Sequence, residues 1–178
     1  MRSEIHNDRQ DVRDELAARV LGVCLDEGWY IAAAESLTGG LLADAFVRIP
    51  GASRVFLGSA VTYDIAAKAA ILGVDKTLLD EEGAVHPLVA RQMAVAAARL
   101  YETREELTGR VIGLATTGVA GPGPDGDKPA GLVYIAISIP AKSGRRTYAY
   151  ELNLEGGREE IRRDTVETVL QDLIENLM

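Results

Sequence analysis

The chain is poor in the side chains on which many hydrolytic and metal-dependent sites rely. It has one cysteine, Cys24, and two histidines, His6 and His86, in 178 residues. A lone cysteine excludes an internal disulfide and suits a reducing compartment, so a cytoplasmic location is expected. Cys24 falls on an apolar helical face, where a small core residue is the expected role. His6 sits in a polar N-terminal stretch, so a histidine-based zinc site or a Ser-His-Asp triad lacks its components. No metal and no organic cofactor is expected. No apolar run approaches the roughly 20 residues of a membrane span, and nothing resembles a signal peptide, so no membrane partner is expected. Basic residues are in deficit, 19 Lys and Arg against 27 Asp and Glu, for a net charge of −8. Such a surface repels a phosphate backbone, and no nucleic-acid partner is expected. Neither G-x-G-x-x-G after the first strand nor G-x-x-x-x-G-K-[ST] occurs, which removes the usual dinucleotide and P-loop fingerprints.

What remains is an ordinary globular composition, 47% hydrophobic and 26% charged, in a length that suits one domain. Residues 1–10 are polar and read as a loosely held segment ahead of a single domain over 11–178. Val12, Leu16, Val20, Val23 and Cys24 recur at helical spacing and Gly28 supplies a stop. Tyr30 to Ala34 reads as a buried strand. The spacing predicts a helix from Leu41 to Ile49 ended by Pro50-Gly51, a strand from Val55 to Tyr63, and a helix from Ile65 to Leu72 ended by Gly73. Pro87 opens a helix that runs to Leu100. Val111 to Ala115 is a short strand before a Gly/Pro loop from Thr116 to Gly131. Leu132 to Ile139 and Arg146 to Leu154 form a hairpin through Ala141-Lys142-Ser143-Gly144, and a helix closes the chain from Arg158 to Leu177. Alternating helices and strands followed by a hairpin predict an α/β layered sandwich with a mixed sheet.

The segment Ala34-Glu35-Ser36-Leu37-Thr38-Gly39-Gly40 links the first strand to an amphipathic run. That order places Ser36 and Thr38 at a helix N-terminus, where free amides and the helix dipole suit an anion or an oxyanion. A plain helix cap is the competing role for either hydroxyl. Sites in α/β proteins gather beyond strand C-termini, so three segments are expected to meet there. They are Glu35 to Gly40, Thr62-Tyr63 with the helix carrying Lys68, and Thr116 to Gly123 with Thr117, Gly118 and Gly121. Taken singly, Tyr63 reads as a strand-end aromatic and Lys68 as a solvated helix residue. Arg158, Arg162 and Arg163 are expected to pair at the surface with Glu155 and Glu159, with one of them reaching substrate.

Together these segments resemble the CinA C-terminal domain family. The resemblance rests on Glu35-Ser36-x-Thr38-Gly39-Gly40, Pro50-Gly51-x-Ser53, Phe56-x-Gly58, Val61-x-Tyr63, Lys68, Leu72-Gly73-Val74, Gly83-Ala84-Val85, Thr117-Gly118-x-Ala120-Gly121-Pro122 and Lys128-Pro129-x-Gly131-x-Val133-Tyr134. It covers roughly residues 12–175. Leu37, Ser59-Ala60, Asp64 and His86-Pro87 depart from the family pattern. The resemblance implies a three-layer α/β/α sandwich with a mixed, mainly parallel sheet. It also implies hydrolysis of nicotinamide mononucleotide to nicotinate mononucleotide and ammonia, by the stand-alone form of the domain. Ser36 matches the nucleophile, with Tyr63 and Lys68 as activating partners. Glu35, Thr38, Gly39, Gly40, Thr117, Gly118, Gly121 and Arg158 are expected to bind substrate. The family also favours a homo-oligomer. A non-catalytic module that binds pyridine nucleotides and regulates a partner is the alternative, and hydrolysis of some other small amide ranks third.

Overall fold

Residues alternate along each inner strand between two helical layers, and that alternation builds the fold. The computed structural model describes the backbone of residues 2–178 and side chains from residue 9 onward. The described residues form six α-helices and five strands in the order α1 (Arg2–Glu27), β1 (Tyr30–Glu35), α2 (Leu41–Val47), β2 (Phe56–Val61), α3 (Ile65–Leu72), α4 (Lys76–Glu82), α5 (Pro87–Tyr101), β3 (Val111–Gly118), β4 (Leu132–Ala141), β5 (Gly144–Asn153) and α6 (Arg158–Leu177). The sheet order is β2-β1-β3-β4-β5. β1 pairs in parallel with β2 and β3, and β4 runs antiparallel to β3 and β5, so only β4 opposes the common direction. This is the mixed, mainly parallel sheet of a three-layer sandwich.

Ile31, Ala33, Ile112, Leu114, Ile135 and Ile137 face α1, α2 and α6 in one core. The opposite face offers Ala32, Ala34, Ala115 and Ala136 to α5, α3 and α4. Those residues are small because α5 lies almost on the sheet. A Cβ added to Gly113 would stand 1.8 Å from the carbonyl oxygen of Ala94. Cys24 lies in the first core, fully buried, and burial pushes its thiol up to about 12. It is a core residue, as its helical spacing predicts.

β2 is shorter than the sequence reading, and β4 and β5 extend to Ala141 and from Gly144, which leaves Lys142-Ser143 as the hairpin turn. Four further differences have local reasons. β3 continues through Thr116, Thr117 and Gly118, because these residues pair with Ile135, Tyr134 and Val133 of β4. The loop after it is correspondingly shorter. α2 stops at Val47, and a 3-10 turn over Ala52–Arg54 leads into β2. α4 is a short helix that its sequence did not announce. Asp75 caps it by accepting from the amides of Thr77 and Leu78, and Leu79 is its one buried side chain. α1 is assigned from Arg2, with Arg13, Ala17, Val20, Leu21 and Cys24 buried while Val12 is exposed. The side chains of residues 1–8, including His6, lie outside those described. No described helix is long and apolar enough to cross a membrane.

Because β1, β2 and β3 are parallel, their C-terminal ends lie along one edge of the sheet. Glu35 sits beside Val61 on one side and Thr116 on the other. That register brings the three expected segments together.

Candidate active site

Ser36 follows β1 directly, and its amide donates to the carbonyl of Thr116 at 3.0 Å, which continues the β1–β3 ladder by one residue. The chain then turns sharply. Gly39 (φ 55°) and Gly40 (φ 102°) adopt the left-handed backbone that this turn into α2 requires. The Ser36 side chain is left at the floor of the junction with 8% exposure.

Lys68 reaches the same point from α3, the helix after β2. Asp64 starts that helix, its side chain accepting from the amide of Ala67. Lys68 is fully buried. Its Nζ lies 3.0 Å from Ser36 Oγ, 2.7 Å from the carbonyl of Thr62 and 3.2 Å from the carbonyl of Tyr63. No carboxylate is among these contacts, so the ammonium has lost water without gaining an ion pair. Burial therefore lowers its pKa to about 8, with Asp64 opposing weakly through its charge. The two carbonyls can only accept, so a neutral Lys68 gives them its two N–H groups and turns its lone pair to Ser36. The three contacts therefore suit either protonation state, and a proton can pass between Oγ and Nζ without rearrangement. The Thr62 hydroxyl, on the residue whose carbonyl receives Lys68, is buried without a hydrogen-bond partner among the described residues.

Tyr63 meets the lysine through its main chain rather than its phenol. The ring is 63% exposed, and its hydroxyl accepts from Arg158 Nη2 at 3.1 Å. Arg158 also donates to the carbonyl of Gly121 at 2.6 Å. Tyr63, Arg158 and Gly121 thus form a connected rim, drawn from two loops and the first turn of α6. The phenol is not part of the Ser36–Lys68 contact that the family resemblance implied, because β2 ends at Val61 and the next residues turn their carbonyls inward.

Glu35 has a different place from the one expected. Its side chain is fully buried and turns onto the N-terminus of α2. One carboxylate oxygen accepts from the Thr38 hydroxyl at 2.7 Å and from the amides of Gly40 and Leu42, both at 3.0 Å. The other accepts from the Ala43 amide at 3.0 Å and the Ser59 hydroxyl at 2.8 Å. A carboxylate offers about four lone-pair sites, so this one is saturated. It neutralises the positive end of the α2 dipole, and the amides expected to hold an anion there are already engaged. The Gly39 amide is engaged too, donating to Ser36 O. Thr38 is fully buried, its hydroxyl bridging Glu35 and the Thr116 hydroxyl at 2.8 Å. The Leu37 and Thr38 amides make no hydrogen bond among the described residues.

On the third segment, the Thr117 hydroxyl donates to the carbonyl of Ala84 at 2.7 Å, which ties β3 to the loop before α5. A Cβ on Gly118 would stand 2.7 Å from the Leu132 carbonyl oxygen, so glycine is required there by close packing. His86 caps α5, Nδ1 accepting from the Leu88 amide at 3.2 Å. No group of three or more His, Cys, Asp or Glu that could hold a metal ion is found among the described residues.

Arg162, expected to form a surface pair, does so with Glu159 and also grips the loop after Ser36. It donates from Nε to the Leu37 carbonyl at 2.8 Å and from Nη2 to the Thr38 carbonyl at 2.9 Å. Thr62 and Thr116 fall within the segments expected to meet here, but Ser59, whose hydroxyl donates to Glu35, and the grip of Arg162 on two loop carbonyls have no local sequence signal of their own. The only local hint was that Arg158 and Arg162 stand one helical turn apart on α6.

The profile of the CinA C-terminal domain matches residues 13–177. A competence-damage inducible protein of Caldanaerobacter subterraneus is 43% identical over 150 residues, covering 84% of this chain and 34% of that protein. A CinA-like protein of Frankia casuarinae is 41% identical over 165 residues, covering 93% of this chain and 35% of that one. The chain thus spans about a third of the length of these curated relatives. Among solved structures, the competence/damage inducible protein CihA of Agrobacterium tumefaciens superposes with a TM-score of 0.82 at 37% identity, covering 92% of this chain and 94% of that one. The competence damage-inducible protein A of Klebsiella pneumoniae gives a TM-score of 0.83 at 28% identity, with coverage of 93% and 96%.

Proposed function

The chain belongs to the CinA C-terminal domain family, and within it we propose that this protein is an amidohydrolase that converts nicotinamide mononucleotide and water to nicotinate mononucleotide and ammonia. The observation that carries the reading is the buried Lys68 amine, 3.0 Å from Ser36 Oγ and without an acidic partner. A lysine held near neutrality beside a hydroxyl is the pairing that covalent amide hydrolysis without histidine needs.

In this reaction the neutral Lys68 takes the proton of Ser36 as Oγ bonds to the carboxamide carbon. Negative charge then develops on the former carbonyl oxygen. The amides of Leu37 and Thr38 are the main-chain donors beside Ser36 left for that oxyanion, since Glu35 and Ser36 O occupy those of Gly39, Gly40, Leu42 and Ala43. As the carbon–nitrogen bond breaks, Lys68 returns its proton to the departing nitrogen and ammonia leaves. Water then attacks the acyl-serine as Lys68 accepts one of its protons; Lys68 passes that proton to Ser36 Oγ as the acyl–oxygen bond breaks, and the product leaves as the carboxylate after its acid proton is lost to solvent. No metal or organic cofactor enters any step. Arg158, at the rim with Tyr63 and Gly121, supplies a cation for the substrate phosphate. Tyr63 contributes its carbonyl to the lysine and its phenol to that rim.

Purified protein is incubated with nicotinamide mononucleotide, and ammonia and nicotinate mononucleotide are quantified by an enzyme-coupled assay and chromatography. Stoichiometric release of both, abolished by Ser36→Ala with the fold retained, supports the assignment. Binding without turnover would favour the regulatory module. Turnover of bare nicotinamide at an equal rate would point to a different small amide.

A further inference from the structure

A main-chain oxyanion site works only if its peptide planes are held against rotation, and the loop after Ser36 contains two glycines that favour rotation. Three contacts oppose it. The Gly39 amide donates to Ser36 O at 3.1 Å and the Leu41 amide to Thr38 O at 3.0 Å, both from within the turn. The third comes from outside: one edge of the Arg162 guanidinium spans the consecutive carbonyls of Leu37 and Thr38. In a trans peptide the carbonyl and the following N–H point in opposite directions. Drawing Leu37 O toward α6 therefore turns the Thr38 N–H away from α6. Likewise, fixing Ser36 O on Gly39 turns the Leu37 N–H away from the turn. These two amides are the ones without a partner among the described residues.

From this geometry we infer that Arg162 is a positioning residue: it sets the direction of the Thr38 amide, and through the same loop the Leu37 amide, as donors to the oxyanion formed at Ser36. The inference rests on the amidohydrolase reading. Arg162 itself hydrogen-bonds neither Ser36 Oγ nor Lys68. Its planar fork is what the task requires, because Nε and Nη2 hold two carbonyls at once while Glu159 fixes Nη1. A lysine ammonium is a single point and cannot fix both planes.

Arg162→Lys and Arg162→Gln are compared with wild type in the full chain, with steady-state kinetics on nicotinamide mononucleotide from pH 7 to 10 and thermal melts in parallel. Loss of one oxyanion donor costs about 10²–10³-fold in kcat. Both variants should lose about 100-fold in kcat, hold KM within about threefold, and keep the pH midpoint of kcat, because the Lys68 contacts are untouched. Arg162→Lys keeps the charge and the pairing with Glu159, so it remains informative if Arg162→Gln melts below the assay temperature. A kcat within threefold of wild type, a loss carried wholly by KM, or a displaced pH midpoint would overturn the inference. An active wild type with indifferent Arg162 variants defeats this inference alone, whereas an inactive wild type defeats the amidohydrolase reading and this inference with it.

Discussion

Lys68 Nζ and Ser36 Oγ stand 3.0 Å apart, although 32 residues separate them in the chain. The contact is made by two parallel strand ends delivering their following segments to one place. Glu35 pairs with Val61, so the residues just beyond β1 and β2 face each other across the sheet edge. Burial without a carboxylate then gives the amine its chemistry.

Activity should rise with pH through about 8, where Lys68 loses its proton and becomes a base. Lys68→Arg keeps a cation but cannot deprotonate in this range, and should lower kcat by at least about 10²–10⁴-fold. A rate profile flat between pH 7 and 9 would contradict the role.

Stability should carry the same signature. The folded chain releases the Lys68 proton near 8 and the unfolded chain near the ordinary 10.5, so between those values the unfolded state binds more protons. The folded state is therefore favoured increasingly as pH rises across that window. Melting curves of wild type and Lys68→Met, taken from pH 7.5 to 10, should show the wild type gaining relative to the variant.

Glu35→Gln should destabilise the protein strongly. The new amide nitrogen would be set against donors that a carboxylate oxygen now accepts, leaving buried groups unpaired at about 1–3 kcal/mol each. A loss of about 3 kcal/mol corresponds to a fall of roughly 6–12 °C in Tm for a chain of this size, measurable by calorimetry.

Tyr63→Phe and Arg158→Ala should act on substrate binding and overlap in effect. The Tyr63 hydroxyl and the Arg158 guanidinium hydrogen-bond each other at the rim, so each change should raise KM more than it lowers kcat. The double variant should fall short of the sum of the two, as expected for groups in direct contact. Additive effects in a double-mutant cycle would show that the rim does not work as a unit.

Two glycines give a control on packing. Gly113→Ala would drive a Cβ into the backbone of α5 and should cost about 3 kcal/mol, at the upper end of overpacking penalties. Gly123→Ala meets nothing within 4 Å and should stay within about 0.5 kcal/mol of wild type. Denaturant titration of both variants tests the contrast.

Much of this molecule is legible along the chain. The strand–turn–helix at Ser36, the helix over Ile65–Leu72, the hairpin and the closing helix follow from apolar period, glycine stops and turn residues, and the structure shows them at nearly those bounds. Local signals failed where partners are remote. Thr116 and Thr117 look like loop residues until β4 pairs with them. Lys68 looks like a solvated helix residue until α3 docks against the sheet edge. Arg162 looks like half of a surface ion pair until α6 lies beside the loop after Ser36.

The sequence by itself determined the layered α/β architecture and the stock of reactive groups, a serine at a strand end and a lysine in place of histidine. Those features depend on residue type and short-range spacing, which the chain carries directly. Only the tertiary structure decided that the amine is buried against the hydroxyl, that Glu35 fills the helix terminus, and that the Tyr63 phenol faces outward to Arg158. Each of these depends on the register between parallel strands and on the seating of helices over them. Such long-range packing sets solvation and hydrogen-bond partners, and thereby the chemistry of the side chains.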